Sequence, residues 1–149
     1  DLPDHRRAFN KASIERWGTK PSPGPTQNLV PVPHESCRGM AFKFPAVNGP
    51  SVRAYLKERE GQGFPLREHK VHISCTENVQ ALVPMYEGNN LVRLTSVDET
   101  AEMVCRATGS GGRCIDYVKG IAAKLAELNI HDPAVTDLLA AIEKKEHAI

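Results

Sequence analysis

Before Ser96 the apolar residues mostly alternate with polar ones, and after it they recur every three or four positions. A period near two marks a strand with one buried face and a period near 3.6 marks a helix, so strands are expected first and helices later. Residues 5–17 alternate poorly but read as a strand; residues 28–32 and 36–44 read as two more, the second with Met40, Phe42 and Phe44 on one face. Residues 18–25 hold three prolines and two glycines, which neither propagate a helix nor suit a central strand, so a long surface loop is expected there. In residues 67–75, Val71, Ile73 and Cys75 alternate with Lys70, His72 and Ser74, and residues 79–86 supply a second strand, with a hairpin around Thr76, Glu77 and Asn78. The helical half opens at Ser96, where Ser96 and Glu99 spell a capping box, and runs to about Thr108 with Val97, Ala101, Val104, Cys105 and Thr108 inward. A second helix spans residues 113–128, with Cys114, Tyr117, Val118, Ile121, Ala122, Leu125 and Leu128 as its stripe and Asn129 as its stop. Asp132 and Pro133 then give an N-cap and a first-turn proline to a last helix through Leu138, Leu139 and Ile142. The fold class expected is α+β: a small mixed sheet, strongly bent or closed into a barrel, with flanking helices and a helical C-terminal half.

One short helix interrupts the strands, in residues 49–64. Ser51 is a preferred N-cap type, while Gly61 and Gly63 let the helix end in a left-handed conformation. Val52, Tyr55 and Leu56 define its packed face, and four positions further that face reaches Glu60. Glu58 lies on the solvent side with Lys57. A partly desolvated carboxylate beside a glycine break is the kind of group that exchanges protons with a substrate. The competing reading is a Glu60 that pairs with a nearby arginine or is solvated at the helix end.

Composition narrows the partners. A chain of 149 residues fits one domain with a substantial core. Nineteen Lys and Arg against eighteen Asp and Glu give a net charge of +1 without a basic block, which argues against nucleic acid as partner and for a small or protein ligand. No apolar run is long enough to span a membrane and no signal-peptide pattern is present. Cys37, Cys75, Cys105 and Cys114 form no C-x-x-C pair, so neither a disulfide framework nor a zinc knuckle is expected, and a reducing cytoplasm suits them best. The chain starts at Asp1 without Met, so sequence upstream is expected.

Other motifs are weaker. His69, His72 and Cys75 have ligand-like chemistry, but strand alternation turns His72 away from the other two, so no metal site is expected. The run Gly109-Ser110-Gly111-Gly112 follows a helix and lacks a Gly-Lys-Ser/Thr ending, so it reads as a corner between helices rather than a phosphate loop. Such a corner, leading into a helix, exposes backbone N–H groups able to hold a carboxylate, which makes Ser110 and Gly111 candidates for binding a small anion. Cys105 and Cys114 read as core residues, and Tyr117 as a core residue whose hydroxyl reaches a ligand.

Together these stretches resemble the ChaC-type gamma-glutamylcyclotransferases. The resemblance is carried by Arg6-Arg7-Ala8-Phe9 with Ser13-Ile14 and Gly18-Thr19, by Cys37-Arg38-Gly39-Met40-Ala41-Phe42, and by Tyr55-Leu56-Lys57-Glu58-Arg59-Glu60. It continues through Gly109-Ser110-Gly111, Asp116-Tyr117 and Leu128-Asn129-Ile130-His131-Asp132-Pro133, in the family's order over nearly the whole chain. It implies a small mixed barrel with surrounding helices, cleavage of glutathione to 5-oxoproline and cysteinylglycine, no metal or cofactor, and Glu60 as the general acid and base. Arg38 joins Ser110, Gly111 and Tyr117 as an expected substrate-binding residue. Three features depart from the family pattern: no Tyr-Gly-Ser-Leu segment, phenylalanine at Phe64 where many members have tyrosine, and no acidic residue in Lys20-Pro21-Ser22. The first leads to the expectation of a single domain truncated at its N-terminus. The departures also leave two alternatives, a non-catalytic small-ligand-binding protein of the same fold and a cyclotransferase for another gamma-glutamyl amine.

Overall fold

The computed structural model describes residues 1–93 and 96–147. Two long strands open the chain, β1 (Leu2–Ser13) and β2 (Gly24–Cys37), lying side by side. The His34 amide donates to Asp4 Oδ1 and the Thr26 hydroxyl to the Lys11 carbonyl, so the two strands run in opposite directions. A single 3₁₀ turn (Ala46–Asn48) leads into α1 (Gly49–Glu60); β3 (Leu66–His72) and β4 (Asn78–Pro84) follow. The helical half holds α2 (Val97–Arg106), a miniature hairpin of β5 (Thr108–Gly109) and β6 (Gly112–Arg113), then α3 (Cys114–Glu127) and α4 (Pro133–His147). The architecture is α+β with a helical C-terminal half, as expected. The sheet differs: among the described residues it is three two-stranded pairs, β3–β4 and β5–β6 antiparallel, and not a closed barrel.

The chain divides into two compact units, Asp1–Arg6 with Leu29–Asn89 and Arg7–Asn28 with Asn90–Ile149. The first has a small core of Leu2, Cys37, Val71 and Met85, with Leu29, Val79, Ala81 and Val83 packed against it. Its β3–β4 hairpin pairs Leu66 with Pro84 through to His72 with Asn78. The turn closes where the Ile73 amide reaches the Glu77 carbonyl and Ser74 Oγ accepts from the Thr76 and Glu77 amides. This is why the strand stops at His72, leaving Ile73 and Cys75 exposed rather than on a buried strand face. The strand expected over residues 36–44 also fails. β2 absorbs its start, but no neighbour runs beside residues 39–44 among those described, so the ladder is unmade and Met40, Phe42 and Phe44 are 52 %, 82 % and 39 % exposed.

The second unit holds the deepest burial, with Val104, Ile115, Val118, Leu138 and Ile142 essentially inaccessible. Each such side chain contributes about 1.5–3 kcal/mol on leaving water. The capping box at Ser96 is formed in both directions, Ser96 Oγ accepting from the Glu99 amide and the Glu99 carboxylate from the Ser96 amide. Val97 and Thr108 are exposed rather than inward, because the first lies in the opening turn of α2 and the second has already left the helix for β5. α3 ends as Asn129 adopts φ 53°, with the Ile130 amide reaching Leu125 and the Asn129 amide reaching Ala126, the paired bonds of a Schellman stop. Asp132 then caps α4, accepting from the Val135 amide, and also pairs with Arg7; the two side chains are only 9 % and 11 % exposed. The surface loop expected over residues 18–25 is buried at both ends. A Cβ on Gly18 would lie 2.2 Å from the Gly24 nitrogen and one on Gly24 2.1 Å from the Trp17 carbonyl oxygen, so glycine at both places lets two backbones touch.

Candidate active site

The chain in the first unit places Glu60 by a sequence of local constraints. α1 starts at Gly49 with Pro50 in its first turn, where a fixed φ and a missing N–H cost nothing. The N-cap is Asn48 rather than Ser51, whose hydroxyl instead donates to the Asn48 carbonyl. No residue of α1 is fully buried; Val52, Leu56 and Glu60, spaced by four, are its half-buried stripe, while Glu58 and Lys57 are exposed. Tyr55 departs from the expected face and is 57 % exposed. At about 100° per residue it sits roughly 100° away from the centre of the stripe that Leu56 marks, and there its hydroxyl accepts from Arg59. One ion pair, Arg53 to Glu68 at 2.6 Å, ties α1 to β3.

Two glycines fix the chain just beyond Glu60. Gly61 has φ 78° and ψ −165°, a region open essentially to glycine alone and different from the left-handed helical turn expected there. Gly63 has φ 88°, and a Cβ on it would fall 2.6 Å from the ring of the buried Tyr86. The Gly63 carbonyl accepts from the Glu87 amide at 2.7 Å, and Phe64 packs its ring 5.0 Å from that of Tyr86. The half-buried carboxylate is therefore the last side chain before a turn anchored on both sides.

Arg38 belongs to the same unit and points its Nε at the Asp1 carboxylate, 3.2 Å away. A cavity in this unit is lined by His5, Arg67, His69 and Glu87 among others, and Glu60 is not in its wall. His69 faces His5, whereas His72 and Cys75 are exposed.

The remaining candidates lie in the second unit. The Ser110 amide donates to the Glu15 carbonyl at 2.9 Å and the Gly111 amide to the Arg16 carbonyl at 2.7 Å, with Ser110 Oγ adding a third bond to Glu15. The N–H groups expected to hold a carboxylate are thus occupied by main-chain acceptors, and the glycine run is a two-residue hairpin rather than a corner between helices. Glycine at position 109 has a packing reason, since a Cβ there would meet the Glu15 carbonyl oxygen at 2.5 Å. Tyr117 is half-buried with its ring 5.2 Å from that of Trp17, and its hydroxyl oxygen accepts from the Gln27 amide at 3.0 Å. Cys114 is core as expected: burial pushes its thiol up to about 12, and its Sγ donates to the Pro25 carbonyl. Cys105, half-buried, is raised as well, chiefly by desolvation.

Sequence reasoning missed the pairing of Arg7 with Asp132 and the group around His5 and Arg67. No local signal announces either, because their members lie far apart along the chain.

Comparison with known proteins places these observations. The model of a family described as ChaC-like protein matches residues 2–145. Gamma-glutamylcyclotransferase 2-3 of Arabidopsis thaliana is 28 % identical over 145 residues, covering 90 % of this chain and 72 % of that protein. The glutathione-specific gamma-glutamylcyclotransferase of Schizosaccharomyces pombe is 26 % identical over 160 residues, covering 93 % and 79 %. The crystal structure of a yeast gamma-glutamylcyclotransferase specific to glutathione superposes with a TM-score of 0.80 at 21 % identity, over 96 % of this chain and 85 % of that one, and so shares the fold.

Proposed function

Because the chain belongs to the ChaC-like protein family, we propose that it is a gamma-glutamylcyclotransferase that cleaves glutathione to 5-oxoproline and cysteinylglycine, with Glu60 as general acid and base. The observation that carries this reading is the position of Glu60: half-buried, closing the one stripe of α1 that packs inward, and followed at once by a glycine-fixed turn. The relatives named for glutathione give the substrate.

The reaction asks little covalent chemistry of the protein. The α-amine of the gamma-glutamyl group attacks its own side-chain carbonyl carbon, forming the new C–N bond of a five-membered ring. The amide bond to the cysteine nitrogen then breaks. A carboxylate that takes the proton lost by the attacking amine can return it to the departing nitrogen, so one residue serves both steps and no water is consumed. Holding the substrate folded contributes the larger share, since correct orientation of an intramolecular attack is worth several orders of magnitude. Arg38, a cation in the same unit as Glu60, is proposed as a contact for a substrate carboxylate. Ser110, Gly111 and Tyr117 belong to the other unit and are left out of this reading: Gly111 has no side chain and its amide, like that of Ser110, is already bonded, while the Ser110 and Tyr117 hydroxyls engage the Glu15 carbonyl and the Gln27 amide. A reducing compartment, the cytoplasm, suits a chain whose four cysteines are thiols rather than disulfides.

The test is 5-oxoproline release from glutathione. Glu60→Gln keeps size and hydrogen-bonding reach but cannot exchange a proton, so turnover should fall by roughly 10²–10⁴-fold with Tm unchanged. Glu58→Gln, on the exposed side, should match the wild type. Equal turnover for Glu60→Gln and wild type would end the assignment.

A further inference from the structure

In the unit of residues 1–6 and 29–89, a cavity of about 120 Å³ opens on one face of the β3–β4 hairpin. Arg67 and Val83 are direct cross-strand partners there, so a cation and an apolar side chain stand together at its wall. Val83 and Met85 give it an apolar floor; His5, Arg67, His69 and Glu87 give it a polar rim. We infer that this cavity is a binding site for a compact organic monocarboxylate, its hydrocarbon body on Val83 and Met85 and its carboxylate among Arg67, His5 and His69.

Size sets the class first. A cavity of roughly 150 Å³ holds a six-carbon ring, so about 120 Å³ admits about five heavy atoms. Charge sets it next. Arg67 holds Glu87 through two terminal nitrogens, at 2.6 and 2.8 Å, but a guanidinium has five N–H donors, and this pair leaves others for a guest. The ring of His69 stands edge-on to that of His5, centroids 5.3 Å apart and planes at 88°. His5 directs Nδ1 at the Pro3 carbonyl, 2.8 Å away, which leaves its Nε2 for another partner. Loss of solvent, then the nearness of His5, then Arg67, hold the His69 imidazole below its usual range, and the carboxylate of the rim, Glu87, is already taken up by Arg67, so the lining offers the imidazole no anion that is not already paired. A bound carboxylate supplies that anion. An inorganic oxyanion has no apolar part for Val83 and Met85, and a neutral amide brings no charge to the two imidazoles. The site is separate from Glu60 and stands whether or not the chain is a cyclotransferase.

The test follows the ring signals of His5 and His69 and the Val83 amide by NMR in the full chain, between pH 5 and 8, with propionate as the probe and propionamide as its neutral isostere. Propionate should shift these signals saturably and move the His69 midpoint upward. By linkage, an upward move of about half a unit means roughly threefold tighter binding well below the midpoint than well above it. Arg67 is exposed, so Arg67→Gln should fold normally and lose the saturable shift; Arg53→Gln, which removes another exposed, carboxylate-paired cation off the cavity wall, should keep it. The proposal is overturned if propionamide produces the same shifts, if Arg67→Gln retains them at unchanged Tm, or if no saturation is reached by about 50 mM, a weak-binding limit of under 2 kcal/mol.

Discussion

Gly63 shows how one residue without a side chain governs its neighbours. Its φ of 88° and the Tyr86 ring 2.6 Å from where a Cβ would stand are two separate obstacles to alanine, the first costing about 1–3 kcal/mol by itself. Gly63→Ala should lower Tm by several degrees and, because the turn holds the end of α1, reduce turnover more than Gly61→Ala, which meets backbone strain but no neighbouring atom. Circular dichroism melts beside the 5-oxoproline assay check both. The thiols offer a second contrast at this scale. Cys114, pushed up to about 12 and buried, should resist a thiol reagent at pH 8 until the chain unfolds, while the exposed Cys75 reacts at once. His69 carries a sign that can be worked out. Its pKa is lower folded than unfolded, so the unfolded chain takes up the proton first, and stability present above pH 6.5 declines as pH falls from there toward the folded value. His69→Gln should flatten that part of the stability curve. Legibility at this scale was uneven. Spacing by four led from Val52 and Leu56 to Glu60, whereas the engagement of Ser110 rests on Glu15, 95 positions away, which no local pattern encodes.

Elements whose ends carry chemistry were readable, and elements that depend on distant neighbours were not. Ser96 with Glu99 and Asp132 with Pro133 set the starts of α2 and α4 where the capping residues put them. Ser96→Ala should cost about 1 kcal/mol in denaturant titrations. Asp132→Ala should cost more, about 3–5 kcal/mol, because it removes the cap and also leaves Arg7 as a buried cation without its carboxylate. Asp132→Asn keeps a capping oxygen and should fall between; a loss for Asp132→Ala no larger than for Ser96→Ala would show that the ion pair adds nothing. The strand expected over residues 36–44 had the right period but lacked a ladder, since a strand needs a neighbour and a helix does not. α1 marks the opposite limit: it has its stops and its stripe, yet it buries no residue completely. Its amides should exchange with solvent fastest of the four helices.

Across the whole molecule the α+β division was written in the change of period at Ser96, while the division into two units and the pairing of strands two by two among the described residues were not, because both depend on which distant segments meet. Burial is uneven between the units. Among the described residues, the essentially inaccessible aliphatic side chains other than Pro25 of β2 and Ala107 just after α2 belong to α2, α3 and α4, so the slowest-exchanging amides should lie there, and the β3–β4 hairpin should open at lower free energy. The run of Met40, Phe42 and Phe44 has a further consequence in the test tube. Three large exposed apolar side chains at every second position of an unladdered segment make the sticky element of a colloid, and Lys43, set between two phenylalanines, is its gatekeeper. Shelf life in concentrated solution should therefore depend on this one charge: Lys43→Thr should hasten the growth of scattering particles on storage, and Phe42→Lys should slow it, with folding unaltered in either case.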